Sequence, residues 1–566
     1  MRKILLLIVW LTGFVQAFAQ DGAGNDEPVD FDADRYSFRR IDSLNQLQMM
    51  AGNVVIRQGT TTFYADSAVY NRYTKIVEAF GNVRINDNDS VNIYSDYLHY
   101  RTDNKFATLK RNIRLTDGQS TLYTNELTYD VNESIGTYLT GGRLENKGSV
   151  LTSKEAVYYG ELKDVYFKKN VELTDPGFNL KTEELLYNTE TEIATFTTFT
   201  EIKDSTRRIE TTAGYYDMRN KVSHLGNRPV IYDGSVIITA QNIYSNDTTG
   251  ISRLEGNAVY KDTAEGIALL ANFIESNSND KSFFATQNPL LIIKQKEDSL
   301  YISADTMRSG KLSILYKERD SLAALDENGE HGNDGIMINS VEVMEPLSDS
   351  ADRYFMAWYN VRIFSDSLQG RSDSLFYSGI DSVFRMYYDP VLWASGSQIT
   401  GDTIYLYTKN KEADRLYVAE NAIIINETGE GMFNQIRGNR INGFFVEGNI
   451  DYMRAQGNSE SLYYVRDDQE KIIGVNKAES DIIDIRFKEK EINQVVFISE
   501  VRGTTYPPSR VPEDEKKLRN FNWRESERPK TKEELFEKDG KNKIKTEEIM
   551  ASEGKDAIDE DDPSED

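Results

Sequence analysis

Residues 52–70 read GNVVIRQGTTTFYADSAVY, and residues 81–100 read GNVRINDNDSVNIYSDYLHY. The second stretch repeats the first: a Gly-Asn pair, alternating apolar positions, a polar turn, then a run that closes on tyrosine. The closing run returns at residues 122–129 (LYTNELTY), 151–158 (LTSKEAVY) and 180–187 (LKTEELLY). The anchors Tyr70, Tyr100, Tyr129, Tyr158, Tyr187, Tyr216 and Tyr244 are spaced by 30, 29, 29, 29, 29 and 28 residues. Such a fixed period marks a stacked array.

Within each unit the pattern is that of strands. Seven residues before the anchor stand Phe63, Ile93, Leu122, Leu151 and Leu180; two before stand Ala68, Leu98, Leu127, Ala156 and Leu185. Side chains two apart share a face of a strand. The parity flips between these positions, so a bend at Asp66, Asp96, Asn125, Lys154 or Glu183 and its neighbour is needed to keep one apolar face inward. A preceding strand carries Val54 and Ile56, Val83 and Ile85, Ile113 and Leu115, Val171 and Leu173, with Gly52 and Gly81 at a kink. The polar clusters between strands are too short for helical crossovers, so the pairing is expected to be antiparallel. Kinked strands of this kind predict an all-β, repeat-built trough or flattened solenoid with an apolar inside.

The chain opens with Met1-Arg2-Lys3, an apolar run from Ile4 to Val15, and Ala17-Phe18-Ala19, which reads as a secretory signal peptide over 1–19. Residues 20–50 are read as a linker or cap, 51–312 as a first array and 313–352 as an acidic insertion. Residues 353–503 follow as a second array, in which residues 360–363 (NVRI) and 372–377 (SDSLFY) restate the unit, and 504–566 as a charged, disordered tail. A weaker reading places a docking peptide around Phe521, Asn522 and Trp523. The signal peptide predicts a protein secreted to the periplasm, with association at the outer membrane compatible with it.

There is no cysteine, which excludes disulfides, thiolate metal sites and a Cys nucleophile. The formal net charge of -26 argues against nucleic acid as a partner. His99, His224 and His331 share no ligand spacing. Asp66, Asp96, Asp305, Asp373 and Asp402 recur at one place in the unit, but Asn125 and Lys154 replace them there. A bend tolerates that exchange; a catalytic pair or a metal site does not. No enzyme, cofactor or metal is therefore expected.

The repeated form at 52–70 and 81–100, together with residues 389–393 (DPVLW), 398–405 (QITGDTIY), 433–438 (FNQIRG) and 457–464 (GNSESLYY), resembles the OstA/LptA family of lipopolysaccharide-transport proteins in its longer, OstA-like form. The resemblance spans about residues 51–502. It implies a V-shaped, semi-open β-jellyroll whose apolar groove shelters the lipid A acyl chains of lipopolysaccharide. It also implies end partners, an inner-membrane exporter and an outer-membrane translocon, joined by edge-strand addition. The groove candidates are then Val54, Ile56, Phe63, Ala68, Val83, Ile85, Ile93, Leu98, Ile113, Leu115, Leu122, Leu127, Leu151, Ala156, Val171, Leu173, Leu180 and Leu185. The alternative is a non-catalytic structural or adhesive scaffold, for which the same residues form a dry core. A carbohydrate-active β-solenoid enzyme would need an acid and a base clustered in one unit.

Overall fold

A computed structural model describes residues 27–535 apart from 43–45, 296–297, 318–347, 349–350, 468, 470 and 490. The signal peptide over 1–19, most of the insertion over 313–352, His331 and the end of the tail lie outside the described residues. The fold is all-β, built of repeated antiparallel strands. One six-residue helix, 312–317, occupies the start of the segment read as the acidic insertion. No helix among the described residues is long and apolar enough to cross a membrane. The chain divides into a unit of residues 1–171 with 188–190 and a unit of residues 172–187 with 191–566.

In the first unit the strands are β1 (Asp30–Asp32), β2 (Arg35–Arg40), β3 (Gln46–Gln58), β4 (Thr61–Asn71), β5 (Ile76–Asp87), β6 (Val91–Arg101), β7 (Phe106–Thr116), β8 (Ser120–Asp130), β9 (Ile135–Tyr138), β10 (Gly142–Asn146), β11 (Ser149–Ser153) and β12 (Glu155–Tyr159). Each long strand contributes to two walls. In β3, Val54 to Gln58 pair with one half of β4, and Leu47 to Ala51 with the other. The same break recurs between Phe80 and Val83 and between Lys110 and Ile113. From β9 to β12 the halves are separate strands: β10 extends the first wall beside β8, and β12 extends the second beside β9; the next strand, Asp164–Asp175, is continuous again.

The break has a local cause. Gly52 (φ 78°) and Asn53 (φ 46°), Gly81 (74°) and Asn82 (45°), and Arg111 (67°) and Asn112 (52°) are consecutive left-handed residues. Glycine takes that conformation freely, and asparagine better than most side chains. Two such residues face the bend of the neighbouring strand, where a carboxylate holds the amide. Asn53 donates to Asp34 (2.9 Å), Asn82 to Asp66 (2.9 Å) and Asn112 to Asp96 (2.7 Å). The bend expected at Asp66 and Asp96 is thus present, but the inserted, left-handed residues belong to the adjoining Gly-Asn strand.

The second unit repeats the device. Asn360 donates to Asp305 (2.7 Å) and Asn421 to Asp402 (3.0 Å). Residues 433–443 (FNQIRGNRING) lie in strand Met432–Val446, with a register break between Arg437 and Arg440.

The expectation of a disordered tail from 504 does not hold for the part described. Residues 502–506 form a strand beside Ile472–Lys488. Residues 507–535 then run back as a strap over the outer face of the first wall. The Gln435 side chain donates to the Lys516 carbonyl (2.8 Å) and accepts from Leu518 N–H (2.7 Å). Gln398 treats Asn522 O and Arg524 N–H in the same way, both at 2.7 Å. Each glutamine therefore pairs with the strap as a neighbouring strand would. Val511 and Leu518 join a core of Ile423, Ile425, Leu462, Tyr464 and Val475. Phe521 and Trp523 both rest on Phe433, and Leu535 packs with Leu270, Leu290 and Phe364. Phe521, Asn522 and Trp523, around which a docking peptide is expected, pack on the chain's own sheet.

Candidate functional site

The groove candidates lie on the inner faces of the two walls. In the first unit the first wall presents an unbroken cross-strand column in which Ile56 pairs with Phe63, Phe63 with Ile85, Ile85 with Ile93, Ile93 with Leu115 and Leu115 with Leu122. Leu122 pairs with Leu144, and Leu144 with Leu151. Val54, Val83, Ile113 and Val171 flank this column. The second wall presents Ala68, Ala79, Leu98, Leu109 and Leu127 in register, and Ala156 between Tyr138 and Phe167. Leu173, Leu180 and Leu185 hold the matching inward positions in the second unit. Ala79, Leu109 and Leu144 were missed by counting back from the tyrosines, although their period-2 parity was available.

These positions are not open. None of the eighteen candidates is more than 3% exposed. Phe63 on the first wall and Tyr100 on the second meet with ring centroids 4.5 Å apart. The interior of the first unit is filled by its own side chains, whereas the resemblance implied a semi-open groove.

Three of the anchor tyrosines, Tyr100, Tyr129 and Tyr158, which the sequence offered only as period marks, reach across the mouth between the free ends of the walls. Tyr100 Oη donates to Gln58 (2.7 Å), and the Gln58 amide donates to the Thr102 carbonyl (2.9 Å). One period on, Tyr129 Oη donates to Asp87 (2.7 Å), which also accepts from Thr61 (2.9 Å). In the next, Tyr158 and Thr189 approach Asp117 at 3.5 and 3.3 Å. Asn146 then donates to the Thr189 carbonyl (3.0 Å). Gln58, Asp87, Asp117 and Asn146 end successive first-wall strands or their turns, so the repeat sets a rung at each period. Burial, and then the negative charge of Asp87, pushes the Tyr100 and Tyr129 hydroxyls well above the ordinary tyrosine range. Burial raises Tyr138 to about 12.

This seam is spanned by side chains, namely these hydrogen bonds, the Lys105–Glu27 ion pair (2.7 Å) and the Phe63–Tyr100 contact behind them, whereas each wall is held by backbone ladders. An exchanged hydrogen bond contributes about 1 kcal/mol net. The seam is therefore the weakest boundary of the interior, and parting it would expose the two apolar columns.

The described histidines, His99 and His224, stand on separate strands. His99 stands between Glu78 and Thr108 on the outer side of the second wall. His224 is stacked on Tyr244 at 4.4 Å. Among the described residues no group of three or more His, Cys, Asp or Glu is placed to hold a metal ion.

The architecture is that of a β-repeat protein with a two-walled apolar interior. Residues 32–183 match the family model described as OstA-like protein, so the chain carries an OstA-like domain there. No curated protein matches the chain. The crystal structure of LptH, the LptA homologous periplasmic component of the conserved lipopolysaccharide transport device from Pseudomonas aeruginosa, is similar at 14% identity. That similarity covers 27% of this chain and 96% of the other, with a TM-score of 0.14, too low to carry an argument.

Proposed function

We propose that this is a periplasmic protein of lipopolysaccharide transport, a bridge whose walls part along the tyrosine seam to take lipid A acyl chains between them. The observation that carries the reading is the pairing of two continuous apolar columns with a mouth closed by side chains and not by a backbone ladder. Keeping a fatty chain from water is worth about 0.8 kcal/mol per methylene, so a dozen carbons supply roughly 10 kcal/mol. That exceeds the few rungs that one lipid would displace, each about 1–3 kcal/mol. Chain-end partners, an inner-membrane exporter and an outer-membrane translocon, would add strands at β1 and β2 and at Glu491–Ile498 and Arg502–Tyr506. The first pair meets only β3, and the second only Ile472–Lys488, among the described residues.

The packed interior favours a second reading, a structural scaffold whose repeats hold partners apart. Photo-crosslinkers at Leu98 and Leu127, inside the second wall, separate the two. They are compared with Thr108 and Thr128, which pair on that wall's outer side. Lipopolysaccharide captured from the inner pair alone supports transport; equal labelling, or none from the inner pair, leaves the scaffold.

A further inference from the structure

On the outer face of the first wall, β4, β5, β6, β7, β8 and β10 carry Tyr64, Arg84, Tyr94, Arg114, Tyr123 and Arg143. Each pairs directly with the next across the strands. The result is a stripe in which ring and guanidinium alternate over six neighbouring strands, five steps of about 4.8 Å, or roughly 24 Å. Arg84 lies 5.4 Å from the centre of Tyr64 and 5.9 Å from that of Tyr94, and Arg114 lies 4.2 Å from Tyr94. Beside the stripe, on the same face, run Thr62, Asn86, Asn92, Thr116 and Thr121, likewise paired strand to strand and uncharged.

Cross-strand pairing of this kind stabilises a sheet by itself, but three observations ask for more. The chain holds 92 acidic residues against 66 basic ones, yet Arg84 and Arg114 meet ring faces and the Asn92 amide (2.9 Å) rather than a carboxylate. Only Arg143, at the end, pairs with an acid, Glu145. Tyr64 and Tyr123 each remain 38% exposed. In the second unit, by contrast, the outer face of the first wall is apolar at Ile423, Ile425, Leu462 and Val475 and is covered by the chain's own strap. A peptide with leucine and valine anchors suits that face. It does not suit flat rings, guanidinium groups and a row of amides and hydroxyls.

We propose that this stripe binds an anionic saccharide chain. The apolar C–H faces of successive sugar rings lie on Tyr64, Tyr94 and Tyr123, whose rings are amphipathic and rigid. Phosphate or carboxylate groups on the sugars are taken by Arg84, Arg114 and Arg143, whose planar forks match those anions. The hydroxyls meet the Asn and Thr row. The site is on the outside of the wall and does not depend on whether the interior accepts lipid. The same chemistry is offered by the phosphorylated saccharide of a glycolipid and by a free acidic polysaccharide.

Calorimetric titration of the full chain with fully deacylated lipopolysaccharide saccharide, polygalacturonate, dextran and poly-glutamate tests the proposal. Binding of either acidic saccharide, with dextran weaker by at least ~10-fold, supports it. Preference between the two acidic probes names the source. Arg84→Gln with Arg114→Gln should weaken binding ~10-fold or more and flatten its salt dependence. Tyr94→Ala with Tyr123→Ala should do the same without flattening it, while Tyr94→Phe with Tyr123→Phe should bind as the parent does and guards against misfolding. No binding of either acidic saccharide, unchanged binding in the alanine pair, or poly-glutamate bound as tightly as the saccharides would overturn it.

Discussion

The left-handed asparagines carry much of the architecture at the residue scale. Asn82 combines a positive φ with a hydrogen bond to Asp66. Asn82→Ala loses both and should lower stability by about 1–2 kcal/mol in urea unfolding. Asn82→Gly keeps the conformation and should lose less than half as much. The tyrosine seam gives a second test. Tyr129→Phe leaves buried Asp87 short of a donor and should cost about 1–3 kcal/mol. The raised tyrosines also set an alkaline limit. A hydroxyl held protonated by burial, as at Tyr138, which is raised to about 12, stabilises the fold fully below the unfolded value near 10. That contribution is lost as pH rises through the folded value. Stability should therefore fall between pH ~10 and ~12, and less steeply in Tyr138→Phe; an unchanged slope in that variant would contradict the assignment.

At the scale of elements, the strap is the part whose order rests on a few side chains. Gln398 and Gln435 are fully buried, and each satisfies one N–H and one carbonyl of an extended segment that has no other strand beside it. Replacing both with alanine leaves four backbone groups unpaired, at roughly 1–3 kcal/mol for each that stays buried. The apolar anchors Val511 and Leu518 cannot offset that loss. Limited proteolysis of Gln398→Ala/Gln435→Ala should cut within residues 507–535 while the strands of both walls stay protected. Cleavage no faster than in the parent would mean that the apolar anchors, with Arg524 on Asp389 and Arg528 on Gln369, hold the strap without the two glutamines.

For the whole molecule, the governing property is that repeats contact their neighbours in order, so stability is close to a sum of units and interfaces. Deleting residues 76–105 removes β5 and β6 together and joins Lys75 to Phe106, which follows the equivalent left-handed Lys105. The shortened protein should fold, with the cooperative unfolding of the parent and one rung fewer. Deleting β5 alone would bring two strands of the same direction together without a crossover, and should yield no folded protein by circular dichroism and proteolysis.

The period, the antiparallel strands and the inward columns were legible in the chain itself. Apolar alternation and the Gly-Asn pairs are local signals, and every repeat restates them. The eighteen inward residues therefore fell where parity put them. Three features came only with the tertiary structure: the closing of the interior, the partner of each tyrosine, and the strap. Gln58 and Tyr100, or Asp87 and Tyr129, lie 42 residues apart and meet only once two walls have been built. The strap from 507 to 535 is rich in charge and carries no strand period, so by composition it reads as solvated. What orders it is the apolar outer face and the two buried glutamines of strands more than eighty residues earlier in the chain, a long-range match that no local pattern encodes.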